Sequence, residues 1–436
     1  MKSFHIITFG CQMNEHDSER MAGILSGRDY TVAAGAADAD LVILNTCSIR
    51  EKAEQKFYSE LGRLRELQKE RPGLKIAVAG CIAQQEGKKL LRHASHVDLV
   101  LGPSDIGRLG ELLERGQTTG RAVVSTEGDP EYHLKRIPST RAGSIKAWVS
   151  IMHGCDNFCT YCVVPYLRGR ERSRTPEHIV DEARDLAARG FKEVTLLGQN
   201  VNSYGKGLGR QIDFPLLLSM INGVSGIERI RFVTSHPRDL SDELIAAMRD
   251  LPKVCEALHL PVQSGSDRVL KSMNRGYDRS AYLEKVRKLR AAVPGLALTT
   301  DIIVGFPGET LDDFEQTMSL LKEVRYANIF SFRYSTRPGT AALAMPDHLS
   351  EPEKEARLAS VLALQREITA QYYRDQVGHV VEVLFEGQSR KGGKLAGRTR
   401  GNTVVNVEGA SSLIGTVAKV RITRDARNSL HGELCA

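Results

Sequence analysis

The chain has 436 residues, 41% of them hydrophobic and 26% charged, with a formal net charge of +7. That length suits about three domains, and that balance suits an ordinary globular protein able to bury sizeable cores. No apolar run approaches the ~18 residues that span a bilayer, and the opening stretch Met1 to Cys11 is too interrupted for a signal peptide, so the expected compartment is the cytoplasm.

Thiols stay reduced there, and the eight cysteines at 11, 47, 81, 155, 159, 162, 255 and 435 read as ligands before disulfides. The mild positive charge allows a polyanionic partner wherever the basic residues cluster.

From the start to about residue 130, short apolar runs alternate with helical patterns. Strands are expected at Phe4–Phe9, Leu41–Leu44, Lys75–Ala79 and Val97–Leu101. Helices are expected near Glu15–Leu25, Arg50–Lys69, Gln84–Arg92 and Asp105–Arg115. This alternation predicts an open, doubly wound α/β domain. Cys11, Cys47 and Cys81 each fall just past a strand, 36 and 34 residues apart. Ligands of such sheets gather outside the carboxyl ends of the strands, so three thiols reach one rim. Read alone, they are either buried small hydrophobes or ligands.

Residues 116–144 show little periodicity and read as a linker with a basic tail at Lys135, Arg136 and Arg141. A strand over Ala147–Met152 then leads into His153-Gly154-Cys155-Asp156-Asn157-Phe158-Cys159-Thr160-Tyr161-Cys162. Three cysteines share this loop, with no fourth Cys or His at a matching distance. A structural zinc site wants four ligands, whereas an iron–sulfur cluster with one iron left open wants three.

The spacing resembles the radical S-adenosylmethionine superfamily signature. The resemblance implies that Cys155, Cys159 and Cys162 hold a 4Fe-4S cluster whose remaining iron takes the cofactor, and that the cluster cleaves it to a 5′-deoxyadenosyl radical. Beside that loop, a second cluster on Cys11, Cys47 and Cys81 becomes the better reading. The pairing resembles the methylthiotransferases, whose auxiliary 4Fe-4S cluster carries the inserted sulfur. The wording Thr8-Phe9-Gly10-Cys11-Gln12-Met13-Asn14, Asn45-Thr46-Cys47-Ser48-Ile49-Arg50-Glu51-Lys52-Ala53 and Gly80-Cys81-Ile82-Ala83-Gln84-Gln85 is similar to the branch that acts on isopentenyl-adenosine beside the tRNA anticodon.

Further strands are expected at Glu193–Leu197, Arg229–Val233, Ala257–Leu260, Ala297–Val304 and Asn328–Phe332. Helices between them are expected at Glu177–Arg189, Ser241–Arg249, Arg279–Ala291 and Leu311–Val324. Six such units make a partial (β/α)6 barrel, open on one side for a bulky substrate. The strand ends carry amides, hydroxyls and glycines rather than a hydrolytic triad, so no side chain beyond the cluster ligands is assigned to catalysis. By resemblance, the run Gly305-Phe306-Pro307-Gly308-Glu309 contacts S-adenosylmethionine near its adenine, while Gln199, Gln263 and Arg333 hold its methionine and ribose. The alternative is that these groups only end strands or cap helices. His236 receives no role. The run Arg168 to Arg174, with four arginines, either meets substrate phosphates or a carboxylate, or is a solvated face.

After a helix over Pro352–Arg374, strands at Val380–Phe385, Thr403–Val407 and Gly415–Ile422 predict a small β-barrel. Nine basic residues fall within it (390, 391, 394, 398, 400, 419, 421, 424 and 427), and it resembles the TRAM domain of RNA-modifying enzymes. Cys255 and Cys435 show no partner pattern.

The fold class is α/β, with an N-terminal open α/β domain (1–130), a central partial barrel (131–375) and a C-terminal small β-barrel (376–436). The resemblance implies methylthiolation at C2 of isopentenyl-adenosine in tRNA, with two 4Fe-4S clusters, S-adenosylmethionine and an electron donor such as flavodoxin or ferredoxin. A monomer and no membrane are expected. The rivals are a sister methylthiotransferase for threonylcarbamoyl-adenosine or a ribosomal-protein aspartate, and a non-catalytic zinc-stabilised RNA-binding protein.

Overall fold

The structure is a computed structural model that describes residues 2–48, 51–128, 139–141, 143–209, 211–389 and 392–435, side chains at 51–53 apart. Ile49, Arg50, Lys135, Arg136, Arg390 and Lys391 lie outside the described residues. The chain forms two compact units, one of residues 1–143, 148–156 and 163–182, the other of residues 144–147, 157–162 and 183–436.

The first unit holds a parallel sheet ordered Tyr30–Val32, Lys2–Thr8, Leu41–Thr46, Lys75–Gly80, Leu99–Leu101 and Val123–Ser125. A parallel sheet must be covered on both faces. On one face Val42, Leu44, Ile76 and Val78 pack with Phe57, Leu61 and Leu64 of the helix Glu51–Glu70. On the other, Phe4, Ile43, Ala77 and Leu99 pack with Met21 and Leu25 of Gln12–Ser26 and with Leu109 and Leu112 of Leu109–Thr119.

The four expected strands are all present. Both edge strands were missed because three residues carry no measurable alternation. The helix expected over Gln84–Arg92 is two, Cys81–Glu86 and Lys88–His93, separated at Gly87. The linker reading of 116–144 is corrected at its start. The helix Leu109–Thr119 runs into it and Val123–Ser125 becomes the sheet's sixth strand, because backbone pairing to Leu99–Leu101 overrides a weak local pattern.

In the second unit, Glu193–Leu197 pairs in parallel with Arg229–Phe232. Ala257–His259, Ala297–Val304 and Asn328–Arg333 form a second parallel set. A bridge between Ile230 and Val254, with Cys255 N–H donating to Ile230 O at 3.0 Å, links the two sets. Lys146–Ser150, where a strand over Ala147–Met152 was expected and whose residues divide between the two units, completes the six strands expected.

The C-terminal five strands close into a barrel ordered Val380–Gln388, Leu395–Thr399, Val404–Val407, Ser429–Leu434 and Val417–Ala426. Its core is Val383, Phe385, Leu395, Val405, Val407, Val420, Ile422 and Leu430. Two strands, Leu395–Thr399 and Ser429–Leu434, were not expected, since glycines and polar residues dilute their alternation. Buried Arg229 and Arg231 pin the barrel, donating to Arg398 O at 2.7 Å and to Thr399 O at 2.8 Å. Among the described residues no helix is long and apolar enough to cross a membrane.

Candidate metal centres

Within the first unit, the three sheet strands that carry cysteines end side by side, and the sequence between strand and thiol is what lets them converge. Gly10 has φ +140°, and a Cβ there would stand 2.6 Å from the Cys47 Cβ. Gly80 has φ +92°, and a Cβ there would collide with Thr46 O. Only glycine adopts these conformations and admits such an approach. Asn14 and Asn45, both fully buried, lock two of the strand ends together: Asn14 Nδ2 donates to Asn45 Oδ1 at 3.2 Å and to Thr46 O at 3.1 Å, and Asn45 Nδ2 donates to Asn14 O at 2.7 Å. Asn14 Oδ1 in turn lies 3.4 Å from Cys11 Sγ.

A hydrogen bond from the Cys47 thiol, followed by the charge of Arg168, lowers the Cys11 pKa to about 6 in spite of burial. Burial instead pushes the Cys81 thiol up, with the Arg168 charge opposing it. Arg168 ends the helix Val164–Arg168, which packs against Cys81–Glu86. Its Nη2 meets Asp17 Oδ2 at 3.0 Å, and both side chains are buried. Its Nη1 is buried and has no hydrogen-bond partner among the described residues. A buried guanidinium N–H costs free energy unless an acceptor is supplied. Thiolates and bridging sulfides of an iron–sulfur cluster are such acceptors, so the residues present fit that group. Among the described residues, no three His, Cys, Asp or Glu side chains close round the point one ion would occupy.

The second cysteine set lies on the loop His153 to Cys162. Cys155 belongs to the first unit, where its N–H donates to Gly169 O at 3.2 Å. Cys159 and Cys162 belong to the second and share one turn, Cys162 N–H donating to Cys159 O at 2.9 Å. Thr160 anchors that turn through Ser272 O at 2.9 Å and Met273 O at 3.1 Å.

Arg275, to which the sequence reading gave no role, is buried beside it. Its Nη1 lies 3.3 Å from Cys159 Sγ and 3.3 Å from Tyr161 Oη; Nε donates to Tyr277 Oη at 2.9 Å and Nη2 to Pro261 O at 2.6 Å. Nothing local in the sequence marks Arg275, which lies 116 residues from Cys159.

The S-adenosylmethionine candidates fall at the strand ends, in different states. Gln263 is 7% exposed with φ +75°, and its Oε1 has no partner among the described residues, so it can accept from an ammonium or a ribose hydroxyl. Gly305 N–H is already committed to Glu309 Oε1 at 2.9 Å, a carboxylate also held by Arg357 at 2.5 Å. The turn Gly305 to Glu309 therefore offers a ligand its shape rather than that N–H. Gln199 is half-buried two residues past Glu193–Leu197. Arg333 alternates onto the sheet face that carries Ile329 and Ser331, and its Nη1 lies 3.5 Å from Glu351. His236 accepts from Arg238 N–H at 3.2 Å as a turn cap, and burial lowers its pKa to about 2, leaving it neutral.

The arginine run divides by residue. Arg168 and Arg174 are buried and paired with Asp17 and Glu182, so they are neither solvated nor open to RNA. Arg170 and Arg172 are exposed. Arg141 is likewise no linker residue: only 2% of its side chain is exposed, between Glu19 and Glu182 at 2.6 Å each. In the barrel, Arg400 is spent on Glu256 at 2.7 Å, whereas Lys419, Arg421, Arg424 and Arg427 are exposed.

Three family models match the chain: the radical SAM superfamily over residues 149–321, a family described as Uncharacterized protein family UPF0004 over 3–102, and the TRAM domain over 374–435. The chain is 48% identical over 435 residues to the tRNA-2-methylthio-N(6)-dimethylallyladenosine synthase of Geotalea uraniireducens, covering 100% of this chain and 99% of the relative. It is 50% identical over 434 residues to the synthase of the same name from Geobacter metallireducens, covering 99% and 98%.

Among solved structures, the radical S-adenosylmethionine methyltransferase TsrM of Kitasatospora setae matches with a TM-score of 0.58 at 15% identity, covering 78% of this chain and 77% of that one. The cobalamin-dependent radical enzyme OxsB matches at 0.54 and 13%, covering 85% and 56%. Those two show a shared fold alone. The full-length identity to the synthases shows more: this chain belongs to the tRNA-2-methylthio-N(6)-dimethylallyladenosine synthase family, within the radical SAM superfamily.

Proposed function

We propose that this enzyme replaces the C2 hydrogen of dimethylallyl-adenosine, next to the tRNA anticodon, with a methylthio group. The observation that carries the reading is the pairing of two three-cysteine sets in a chain about half identical to the synthases over its whole length. Cys155, Cys159 and Cys162 would hold one 4Fe-4S cluster, Cys11, Cys47 and Cys81 a second, and Gln199, Gln263, Gly305 and Arg333 would contact S-adenosylmethionine. When bound, these groups supply the electron, the radical, the sulfur and the methyl group that a non-acidic C–H bond requires.

The chain's own residues position and shield. Gly10, Gly80 and the Asn14–Asn45 pair bring three thiols to one rim. Arg168 and Arg275 set positive charge beside the thiolates, and Gln263 offers a dry acceptor. The division into residues 1–130, 131–375 and 376–436 assigns sulfur carriage, radical chemistry and RNA holding in that order. The exposed row Lys419, Arg421, Arg424 and Arg427 meets tRNA phosphates. A flavodoxin or ferredoxin would deliver electrons to a monomeric, cytoplasmic enzyme.

Anaerobically reconstituted protein tests this directly. It should be brown, bind about eight irons and methylthiolate a dimethylallyl-adenosine stem-loop in the presence of S-adenosylmethionine and a reductant. Colourless, iron-free protein that only binds RNA would favour the zinc-stabilised alternative, which the relatives do not support.

A further inference from the structure

The parallel set Ala257–His259, Ala297–Val304 and Asn328–Arg333 has one covered and one open face. Along Ala297–Val304, Leu298, Thr300, Ile302 and Val304 are buried, while Thr299, Asp301 and Ile303 on the alternate face are half-buried. The register puts Asp301 beside Phe330 and Ile303 beside Phe332, so both rings stand on the open face. They are 47% and 39% exposed, unusual for phenylalanine on a barrel strand.

The His259 ring meets Phe330 edge-on at 5.7 Å, and its Nε2 faces Asp301 Oδ1 at 3.4 Å. The face is thus an apolar wall with a polar corner. It also leads somewhere. Ile303 and Tyr161 pack against the same apolar cluster of Val269, Met273, Phe306, Tyr334 and Ala342, and Tyr161 stands between Cys159 and Cys162.

We propose that Phe330 and Phe332 are the subsite for the dimethylallyl-bearing adenine, and so determine which adenosine the enzyme accepts. This rests on the function proposed above. A purine face stacks on an exposed aromatic ring, and a branched hydrocarbon covers apolar surface that otherwise faces water. The rival substrates of the wider family fit poorly. A threonylcarbamoyl-adenosine and a protein aspartate each bring a carboxylate, which the two rings cannot solvate and Asp301 repels.

The test measures binding of the iron-loaded enzyme to two anticodon stem-loops, one with dimethylallyl-adenosine and one with plain adenosine. Wild type should favour the first by about tenfold or more, the selectivity an apolar pocket commonly gives for a few extra carbons. Phe330→Ala and Phe332→Ala should each erase most of that ratio, weakening the dimethylallyl stem-loop more than the plain one, which loses only its stacking, with iron content unchanged. Phe330→Leu, which stays apolar, should keep the larger part. Variants that retain the wild-type ratio would overturn the subsite, as would a wild type with no preference. Failure of the function itself reads differently, as wild-type enzyme that methylthiolates neither RNA.

Discussion

Arg275 Nη1 lies 3.3 Å from Cys159 Sγ, a buried guanidinium donating to a cysteine sulfur from 116 residues away. Hydrogen bonds and positive charge at cluster sulfurs raise the reduction potential by favouring the more negative, reduced state. Replacing Arg275 with Gln should therefore lower the midpoint potential of the cluster on that loop, while Arg275→Lys, which keeps the charge, should move it less. Spectroelectrochemical titration of the reconstituted protein reads the difference.

The amides beside the other cysteines make a separate prediction. Asn14→Ala leaves Asn45 Oδ1 without its donor and exposes nothing to water in exchange. The expected cost is about 1–3 kcal/mol of stability, with the loss of iron concentrated at Cys11, Cys47 and Cys81. Thermal denaturation and iron content of the variant check both parts.

Thiol reactivity distinguishes two cysteines of that set. With its pKa lowered to about 6, chiefly by the Cys47 hydrogen bond, Cys11 is thiolate at neutral pH, whereas burial keeps Cys81 protonated there. In iron-free, reduced protein, iodoacetamide should label Cys11 first, with a rate that rises through about pH 6 and then levels. Peptide mass spectrometry after timed quenching measures it.

RNA affinity should depend on salt through the exposed barrel residues. Replacing Lys419, Arg421 or Arg424 with Ala should each reduce the slope of log K against log salt by about 1, if each neutralises one phosphate. Arg400→Ala should instead lower stability, since its guanidinium is already bound to Glu256 and Val254 O. Filter binding over a salt series separates the two behaviours.

Much of this was legible in the sequence because the signals are local. Gly10-Cys11 and Gly80-Cys81 follow apolar runs, and the 155, 159 and 162 spacing sits in one loop. What was not legible depends on partners far along the chain. In the sequence Arg168 and Arg174 read either as a solvated face or as groups that meet a substrate, and their actual partners, Asp17 and Glu182, lie outside that run. Arg141 read as linker for the same reason. Phe330 and Phe332 sit in an ordinary strand pattern, and only the exposure of their face sets them apart. Short edge strands such as Val123–Ser125 exist because a neighbour pairs with them, not because three residues choose to be extended.

The central claim joins the Cys11, Cys47 and Cys81 rim to sulfur insertion, and tRNA nucleosides report on it directly. In a strain lacking the gene, mass spectrometry should find dimethylallyl-adenosine in place of its 2-methylthio derivative. The wild-type gene should restore the derivative, and Cys47→Ala should not, even though its 155, 159 and 162 set is intact. Restoration by Cys47→Ala, or methylthiolation that persists in the deletion strain, would contradict the account.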